Sequence, residues 1–362
     1  MKTINVLMCG GRRTGKTSIM AAIQSNIVDM FPSGDIVLDM KNSGYLINYQ
    51  QQTRGIFGFN FADQSTFVAD QGANGESHEY SCMVYLQKRQ TSMKLKFTDI
   101  PGEWFIDQEY EKDLENKLKE SQILIMAIDS PHMMEKKGTY HEVFNRAAII
   151  SSKIKKVFQG NIEQRMVLFV PVKCERYRAS DIHPTSQMQE LLDCVKTSYS
   201  DLLSFLTSGG NENIYTIGVT PCFTFGGAEF LRFIPPLDPL GNPILGDDGL
   251  PLKDVEWDPN TKLKVMVHLA EYRFLIDDYG DHYYKPENCE QSLLYILLYL
   301  IAISQRQLST FRGRLTASIF QNPNKKMLAE CKEILVQKTK KQDAEGAAPE
   351  GFAILNDPLG II

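Results

Sequence analysis

The chain has 362 residues and a mass of 41.1 kDa, which suits one large domain or two of ordinary size. Hydrophobic residues make up 43% and charged residues 23% of the chain, so the composition excludes a disordered or fibrous protein. With 39 basic and 44 acidic side chains, the net charge of -5 argues against a protein that covers a nucleic-acid backbone over a wide surface.

The first predicted elements are a strand, a glycine loop and a helix. Residues 4–8 form an apolar run, and apolar residues recur at helical spacing over 16–31. Between them, Gly10 to Thr17 fits the pattern G-x-x-x-x-G-K-[ST], whose backbone N–H groups and helix N-terminus bind phosphate oxygens. Lys16 would reach the β and γ phosphates, and the Thr17 hydroxyl would bind Mg²⁺. The positions expected to contact nucleotide here are Gly10, Arg12, Arg13, Thr14, Gly15, Lys16, Thr17 and Ser18.

Strands and helices then alternate, after a long glycine-rich polar stretch over residues 32–79 that is typical of a functional or mobile loop. Strands over 80–86 and 93–100 form a predicted hairpin. The later elements are a helix over 107–120, a strand over 123–128, a helix over 140–158, a strand over 166–172, a helix over 185–206 and a strand over 214–219. This order predicts an α/β fold, the P-loop NTPase three-layer sandwich, with a mostly parallel sheet and one antiparallel edge strand.

The pattern becomes irregular after residue 222. Prolines and turn dipeptides are frequent over 222–259, and a strand or hairpin is predicted over 263–276. The next helix, from about 288 to 308, is apolar almost all round and should be buried. Its longest apolar run, residues 293–303, is too short to cross a bilayer. A lysine-rich helix over 324–341 precedes a tail from Ala344 that has little to hold it.

These elements divide the chain into four predicted parts. They are a P-loop domain core over 1–222, a Pro- and Gly-rich insertion with β-hairpins over 223–287, a helix over 288–310 that packs on the core, and a C-terminal helix with a flexible tail over 311–362. The seven cysteines show no spacing pattern and the start of the chain lacks the features of a signal peptide, so we expect a cytoplasmic protein.

A second motif, D-x-x-G, stands at the end of the strand predicted over 93–100. In P-loop GTPases this motif places an Asp near Mg²⁺ and a Gly N–H group against the γ-phosphate. Asp99 and Gly102 match these positions, so Thr17 and Asp99 are the predicted metal-binding residues. Glu103 follows Gly102 directly, where a carboxylate can accept a proton from the attacking water. The alternative is a carboxylate that only stabilises the start of a helix.

Two arginines of the phosphate loop are further candidates. Arg12 or Arg13 could supply in cis the positive charge that stabilises the transition state of phosphoryl transfer. Alternatively, both side chains face solvent or a partner protein. The predicted catalytic residues are therefore Glu103, Arg13 and Lys16.

The residues DIPGEW at 99–104, followed by Phe105-Ile106-Asp107, resemble those of the YcjX-like and double-GTPase-type P-loop GTPases of bacteria, as does Arg13 before Thr14-Gly15-Lys16-Thr17. The resemblance covers about residues 1–130. It implies a translation-factor-related GTPase fold. From the motifs together with this resemblance, we expect a Mg²⁺-dependent protein that binds GTP and hydrolyses it slowly to GDP and phosphate as a conformational switch, with a protein effector or regulator as its partner.

Such a GTPase carries N-K-x-D after its fifth strand, where the Lys covers the base and the Asp accepts protons from guanine. The matching residues here are Val172, Lys173, Cys174 and Glu175, so the Lys and an acid remain while the Asn is replaced. Lys173 and Glu175 are the predicted base contacts. The loop Thr220-Pro221-Cys222 resembles the last base-contacting loop only loosely.

Several alternatives remain open from the sequence. A threonine of the 32–79 stretch should complete the Mg²⁺ coordination, and both Thr53 and Thr66 are candidates. An ATPase of the same fold is possible because the Asn is missing. A third alternative is a nucleotide-binding scaffold with little hydrolysis, whose Pro-rich insertion and C-terminal helix contact the partner.

Overall fold

The computed structural model describes residues 3–27, 29–58, 65–68, 76–87, 90–234, 254–257, 264–267, 269–277, 281–309, 319–321, 323–341 and 349–361. Of residues 254–257, 264–267 and 269, only the backbone is described. The strands are β1 (Thr3–Cys9), β2 (Ile36–Lys41), β3 (Thr66–Val68), β4 (His78–Leu86), β5 (Thr91–Asp99), β6 (Ile123–Asp129), β7 (Arg165–Val172), β8 (Tyr215–Val219), β9 (Ala228–Ile234), β10 (Asp254–Trp257), β11 (Lys264–Val267), β12 (Leu269–Phe274) and β13 (Ala353–Asn356).

The central sheet has the strand order β13-β8-β7-β6-β1-β5-β4-β2. Strands β1, β5, β6, β7 and β8 are parallel. The predicted hairpin is present, because β4 pairs with β5 in antiparallel register from His78 opposite Asp99 to Leu86 opposite Thr91. At the other edge β13 pairs antiparallel with β8, which the sequence does not predict. The mostly parallel sheet of the predicted fold is confirmed.

Helices cover both faces of this sheet. They are α1 (Lys16–Asn26), α2 (Gly44–Gly58), α3 (Glu111–Glu120), α4 (Ser130–Met134), α5 (His141–Phe144), α6 (Ala147–Phe158), α7 (Met188–Ser198), α8 (Ser200–Leu206), α9 (Cys289–Ser309) and α10 (Lys325–Lys338). One hydrophobic core lies between the sheet and helices α1, α9 and α10, and a second lies between the sheet and helices α3, α6, α7 and α8. A third cluster contains Phe67, Phe225 and Tyr272. Because both faces are covered, β6 and β7 are buried at every position and read as continuous apolar runs. The predicted three-layer sandwich is therefore confirmed.

Two predicted helices are interrupted in the structure. The helix expected over 140–158 is divided into α5 and α6 at Asn145 and Arg146. The Asn145 side chain accepts a hydrogen bond from the backbone N–H of Asp129 (2.7 Å) and donates one to its carbonyl (3.0 Å), which ties this point of the chain to the end of β6. Arg146 then has a left-handed backbone, with φ of 55°, and begins a new helix. The helix expected over 185–206 starts later, at Met188, and is divided into α7 and α8.

Helix α9 is buried, as its apolar sequence predicts. By length and composition alone it could cross a membrane. In the structure its apolar side chains belong to the core, where they pack against α1, α10 and β7. Its hydrophobic length is therefore explained by burial inside the protein.

The insertion contributes strands to a second, smaller sheet in the order β3-β12-β9. Strand β3 comes from the stretch before β4, whereas β9 and β12 come from the insertion predicted over 223–287. Strands β10 and β11 form a separate antiparallel pair. Much of the Pro-rich segment, including 235–253, lies outside the described residues. The second sheet thus joins two parts of the chain that are far apart in sequence.

The C-terminal segment differs from the expected flexible tail. Residues Ala353–Asn356 form β13, and Phe352, Ala353 and Ile361 are fully buried. Asn356 Nδ2 donates to the carbonyl oxygens of Glu212 (2.8 Å) and Tyr215 (2.5 Å). The segment is ordered because the edge of β8 offers it unpaired backbone groups. Residues 342–348, at the start of the predicted tail, lie outside the described residues.

Candidate functional site

The phosphate loop connects β1 to α1, as predicted. Gly15 has φ of 89° and directly precedes the first helical residue, Lys16. Ahead of them, Arg13 also has a left-handed backbone, with φ of 58°. The loop lies at the carboxyl end of the parallel strands, where ligands bind in open α/β sheets.

A cavity opens over this loop. Its wall contains residues of the phosphate loop, of the D-x-x-G segment and of the covering elements α2 and β3. They are Arg12, Arg13, Thr14, Gly15, Lys16, Thr17, Ser18, Tyr49, Ile56, Phe67, Asp99, Ile100, Pro101, Gly102, Glu103, Lys173 and Phe225. Of the predicted nucleotide contacts, Gly10 and Glu175 do not line this cavity.

The two residues predicted to bind Mg²⁺ are in contact with each other. Thr17 Oγ1 donates to Asp99 Oδ2 at 2.8 Å. Asp99 is 3% exposed, and burial raises the pKa of its carboxyl above the ordinary value. A hydroxyl and a carboxylate are hard oxygen ligands of the kind that Mg²⁺ prefers. This pair fits a magnesium site.

Lys16 is buried at the base of the cavity. Its Nζ donates to the carbonyl oxygens of Gly10 (3.2 Å) and Gly11 (2.9 Å). Burial lowers the pKa of Lys16, while the carboxylates of Asp99 and Glu103 oppose that shift. An ammonium group with neutral carbonyl partners gains a stronger partner when a phosphate enters the cavity.

The D-x-x-G segment presses directly on the phosphate loop. Gly102 begins a short 3-10 helix over Gly102–Phe105. A Cβ atom at Gly102 would lie only 2.4 Å from the backbone nitrogen of Arg12, so this position requires glycine. Glu103 is 1% exposed, and its Oε1 accepts a hydrogen bond from Arg12 Nη1 at 3.4 Å. Glu103 and Arg12 thus face each other across the wall of the cavity.

Arg146, which the sequence does not single out, also contacts this segment. Its Nη1 donates to the carbonyl oxygen of Gly102 at 3.2 Å. Burial is the largest cause of the lowered pKa of Lys16, and the Arg146 guanidinium lowers it further, so the two cations are close enough to interact. No local motif marks Arg146, because its contact depends on the sheet order that places the end of β5 near the start of α6.

Lys173 lines the cavity at the end of β7. Its Nζ donates to Asp129 Oδ2 (2.5 Å) and to the carbonyl oxygen of Arg13 (3.2 Å). Burial opposes its protonation, but the Asp129 carboxylate outweighs it and raises the pKa of Lys173 above the ordinary value. Val172, which stands where an Asn was expected, lies close enough to Gly15 that a Cβ there would be 3.1 Å from Val172 Cγ2.

The Glu175 side chain contacts the loop over residues 223–227 and does not line the cavity. Its Oε1 accepts hydrogen bonds from the backbone N–H groups of Phe225 (2.6 Å) and Gly226 (3.0 Å). Burial raises the pKa of Glu175 to about 7. The loop at 220–222 is buried as well, and Thr220 Oγ1 bonds to Ser292 Oγ at 2.8 Å. Of these residues, Glu175 contacts a lining residue of the cavity, Phe225.

A family model described as Double-GTPase 2 matches residues 5–208, which is more than half of the chain. The chain belongs to the Double-GTPase 2 family. The matched residues include the phosphate loop, Asp99, Gly102, Lys173 and Glu175. This family membership agrees with the resemblance found in the sequence.

Solved structures give a distant similarity. Two structures of the S. cerevisiae Ski7 GTPase-like domain, one bound to GDP and inorganic phosphate and one bound to GTP, are 13% and 14% identical to this chain. Each match covers 61% of this chain and 43% of the other, with a TM-score of 0.32. The chain thus spans less than half the length of these two chains. No curated protein matches the chain.

Three residues of the 32–79 stretch of this Double-GTPase 2 protein, Tyr49, Ile56 and Phe67, line the cavity, and none of them is a predicted site residue. Thr53 donates to the carbonyl oxygen of Tyr49 within α2 (2.9 Å), and Thr66 donates to Glu271 Oε1 (2.9 Å). Neither threonine lines the cavity. Tyr49 and Phe67 do, and Tyr49 bonds to Ser18 at 2.7 Å. The choice between the two threonines for Mg²⁺ coordination stays a prediction.

Proposed function

We propose that this protein binds GTP with Mg²⁺ in the cavity over Gly10 to Thr17, hydrolyses it slowly to GDP and phosphate, and acts as a conformational switch. The observation that carries the proposal is the 2.8 Å contact between Thr17 and Asp99 beside the phosphate loop. It joins the two motifs that a GTPase needs, and these stand about eighty residues apart in the sequence.

The phosphates would lie along the loop and the N-terminus of α1. Backbone N–H groups and the helix dipole favour anions at this position. Lys16 would exchange the Gly10 and Gly11 carbonyls for oxygens of the β and γ phosphates. The Lys16 ammonium is already buried within the loop, so little reorganisation is needed to reach them.

Thr17 and Asp99 would hold Mg²⁺, which when bound offsets the negative charge of the β and γ phosphates. Thr17 would contribute its hydroxyl oxygen directly. Asp99 would act through the water molecules around the ion. The raised pKa of the buried Asp99 carboxyl supports this role, because a cation next to it relieves the cost of its buried negative charge.

For hydrolysis, Glu103 would orient the attacking water and accept its proton, since this carboxylate follows Gly102 directly in the cavity wall. Arg13, which also lines the cavity, would stabilise the negative charge that develops on the γ-phosphate. Arg12 would hold the Glu103 carboxylate in place. Because Gly102 touches the phosphate loop, release of the γ-phosphate would free this segment to move and signal to an effector.

Lys173 would cover one face of the base, since it lines the cavity and its ammonium is fixed by Asp129. We propose, on the basis of membership in the Double-GTPase 2 family, a preference for GTP and GDP over ATP and ADP. Competition of unlabelled nucleotides against a fluorescent GDP analogue measures it directly, and equal competition by ATP would favour an ATPase.

The experiment that tests magnesium-dependent hydrolysis compares phosphate release by the wild type and by Asp99→Asn. We expect turnover in Mg²⁺ to fall at least tenfold in the variant, while GDP affinity in EDTA changes by less than threefold, because the lost charge acts through the metal. Asp113→Asn, on the helix α3, is the matched control for the charge change. Equal losses of affinity with and without Mg²⁺ would contradict the assignment.

A further inference from the structure

The loop over residues 223–227, between β8 and β9, is fixed from one side by the segment before α9. Phe223 N–H donates to the carbonyl oxygen of Glu287 (3.0 Å), and Glu287 N–H donates back to Phe223 (2.9 Å). Lys285 N–H donates to the carbonyl oxygen of Phe225 at 3.2 Å. The carbonyl side of Phe225 is thus held by backbone pairing.

Glu175 fixes the same loop from the other side. Its side chain is 2% exposed, and a single oxygen accepts the N–H groups of both Phe225 and Gly226. A carboxylate that accepts two backbone N–H groups makes stronger hydrogen bonds than a neutral acceptor does. A glutamate is one carbon longer than the aspartate of the expected motif, and it spans the distance to this loop.

The ring of Phe225 faces the cavity. It packs against Phe67 at 5.9 Å between ring centroids and against Tyr272 at 5.0 Å, both edge to face. Phe225 and Lys173 both line the cavity, whereas Glu175 does not. The backbone of Phe225 is therefore held by the Glu175 carboxylate and by backbone pairing, and its ring is held by other aromatic rings.

We propose that Phe225 forms an aromatic wall for the nucleotide base, and that Glu175 is a positioning residue that holds Phe225 there instead of accepting protons from guanine. This inference rests on the proposed binding of nucleotide in the cavity. The faces of a nucleotide base are aromatic whatever groups its edge carries. Stacking on Phe225 therefore strengthens the binding of different bases to a similar extent. The Glu175 contribution to affinity should accordingly not depend on the base.

The test is a competition titration of GTP and XTP against a fluorescent GDP analogue on the full chain. Xanthine carries a carbonyl oxygen where guanine carries its 2-amino group, so the pair separates edge recognition from stacking. We expect Glu175→Ala and Phe225→Ala each to lower the affinity for GTP and the affinity for XTP by the same factor, about tenfold. The double variant should bind GTP and XTP no more weakly than either single variant, because both changes disrupt the same aromatic wall. Glu190→Ala, on the exposed surface of α7, is the matched control.

Two conservative variants keep the test decisive if an alanine variant fails to fold. Glu175→Gln retains a carbonyl oxygen for both N–H groups, and Phe225→Tyr retains the ring, so both should recover affinity for GTP and XTP together. Recognition of guanine by Glu175 would instead make Glu175→Gln favour XTP over GTP, because an amide can donate to the added carbonyl. That switch, or unchanged affinity in folded Phe225→Ala, overturns the inference. A wild type that binds neither GTP nor GDP rejects the proposed function itself.

Discussion

Asp99 and Glu103 are the two carboxylates in the described wall of the cavity, and they have different partners. Asp99 accepts a hydrogen bond from Thr17, which is the arrangement of a metal site. Glu103 faces Arg12 and follows the glycine that presses on the phosphate loop. Their positions therefore suggest separate roles, with Asp99 acting on the metal and Glu103 acting on water.

We expect Glu103→Ala to reduce single-turnover GTP hydrolysis by more than tenfold, which is about 1.4 kcal/mol of transition-state stabilisation. GTP affinity should stay within a few-fold of wild type, because backbone N–H groups and Lys16 hold the phosphates. Glu109→Ala, in the 3-10 helix over Gln108–Tyr110, serves as the control. Wild-type hydrolysis in Glu103→Ala would mean that this residue only stabilises the start of its helix, a contribution of about 0.3–1 kcal/mol to folding.

Among the site residues, spacing along the chain predicts those that belong to one continuous motif. Thr14 to Thr17, and likewise Asp99 to Glu103, take their places because a strand, a turn and a helix follow one another without interruption. Arg146 and Phe225 could not be predicted in this way. Their positions depend on which strands become neighbours and on backbone bonds to distant segments.

Among the elements, β3 connects the cavity to the insertion. Phe67 of β3 lines the cavity, and the strand pairs with β12 from Thr66 opposite Arg273 to Val68 opposite Glu271. If the stretch before β4 moves between nucleotide states, β12 should respond with it. A ladder of backbone hydrogen bonds transmits such a change because both strands lose or gain their partners together.

Hydrogen exchange measured by mass spectrometry tests this coupling. We expect the backbone amides of β3 and β12 to be more protected with a non-hydrolysable GTP analogue than with GDP, by a similar factor in both strands. Strand β13, at the far edge of the central sheet, provides the internal control and should not change. Protection that changes in β3 alone would show that the insertion does not sense the nucleotide.

The long, periodic elements were predictable, and the short or interrupted ones were not. Strands β6 and β7 and helix α9 follow from their apolar runs, because burial on all sides leaves a continuous hydrophobic pattern. Strand β13 has four residues and pairs with a strand far away in the sequence, so no local pattern reveals it. The break between α5 and α6 depends on hydrogen bonds from the Asn145 side chain to the backbone of Asp129. The spacing of apolar residues does not reveal such bonds.

For the molecule as a whole, Glu175 should make stability depend on pH. Burial raises its pKa from 4.5 to about 7, so the folded protein retains a proton that the unfolded chain has already released. This contribution to stability is full below pH 4.5 and is lost as the pH rises through about 7. Its upper limit is on the order of 3 kcal/mol. We expect the melting temperature of Glu175→Gln, which cannot ionise, to fall less than that of the wild type between pH 5 and 8, and parallel curves would contradict this.

Binding of GTP by the phosphate loop is the central claim, and titration of a fluorescent GTP analogue into Lys16→Ala tests it most directly. Lys16 is the buried cation of the loop, so its loss should weaken binding at least a hundredfold, about 2.7 kcal/mol. Lys326→Ala, on the exposed surface of α10, is the matched control and should bind as the wild type does. Unchanged affinity for the GTP analogue in a folded Lys16→Ala protein would contradict binding of GTP by the phosphate loop.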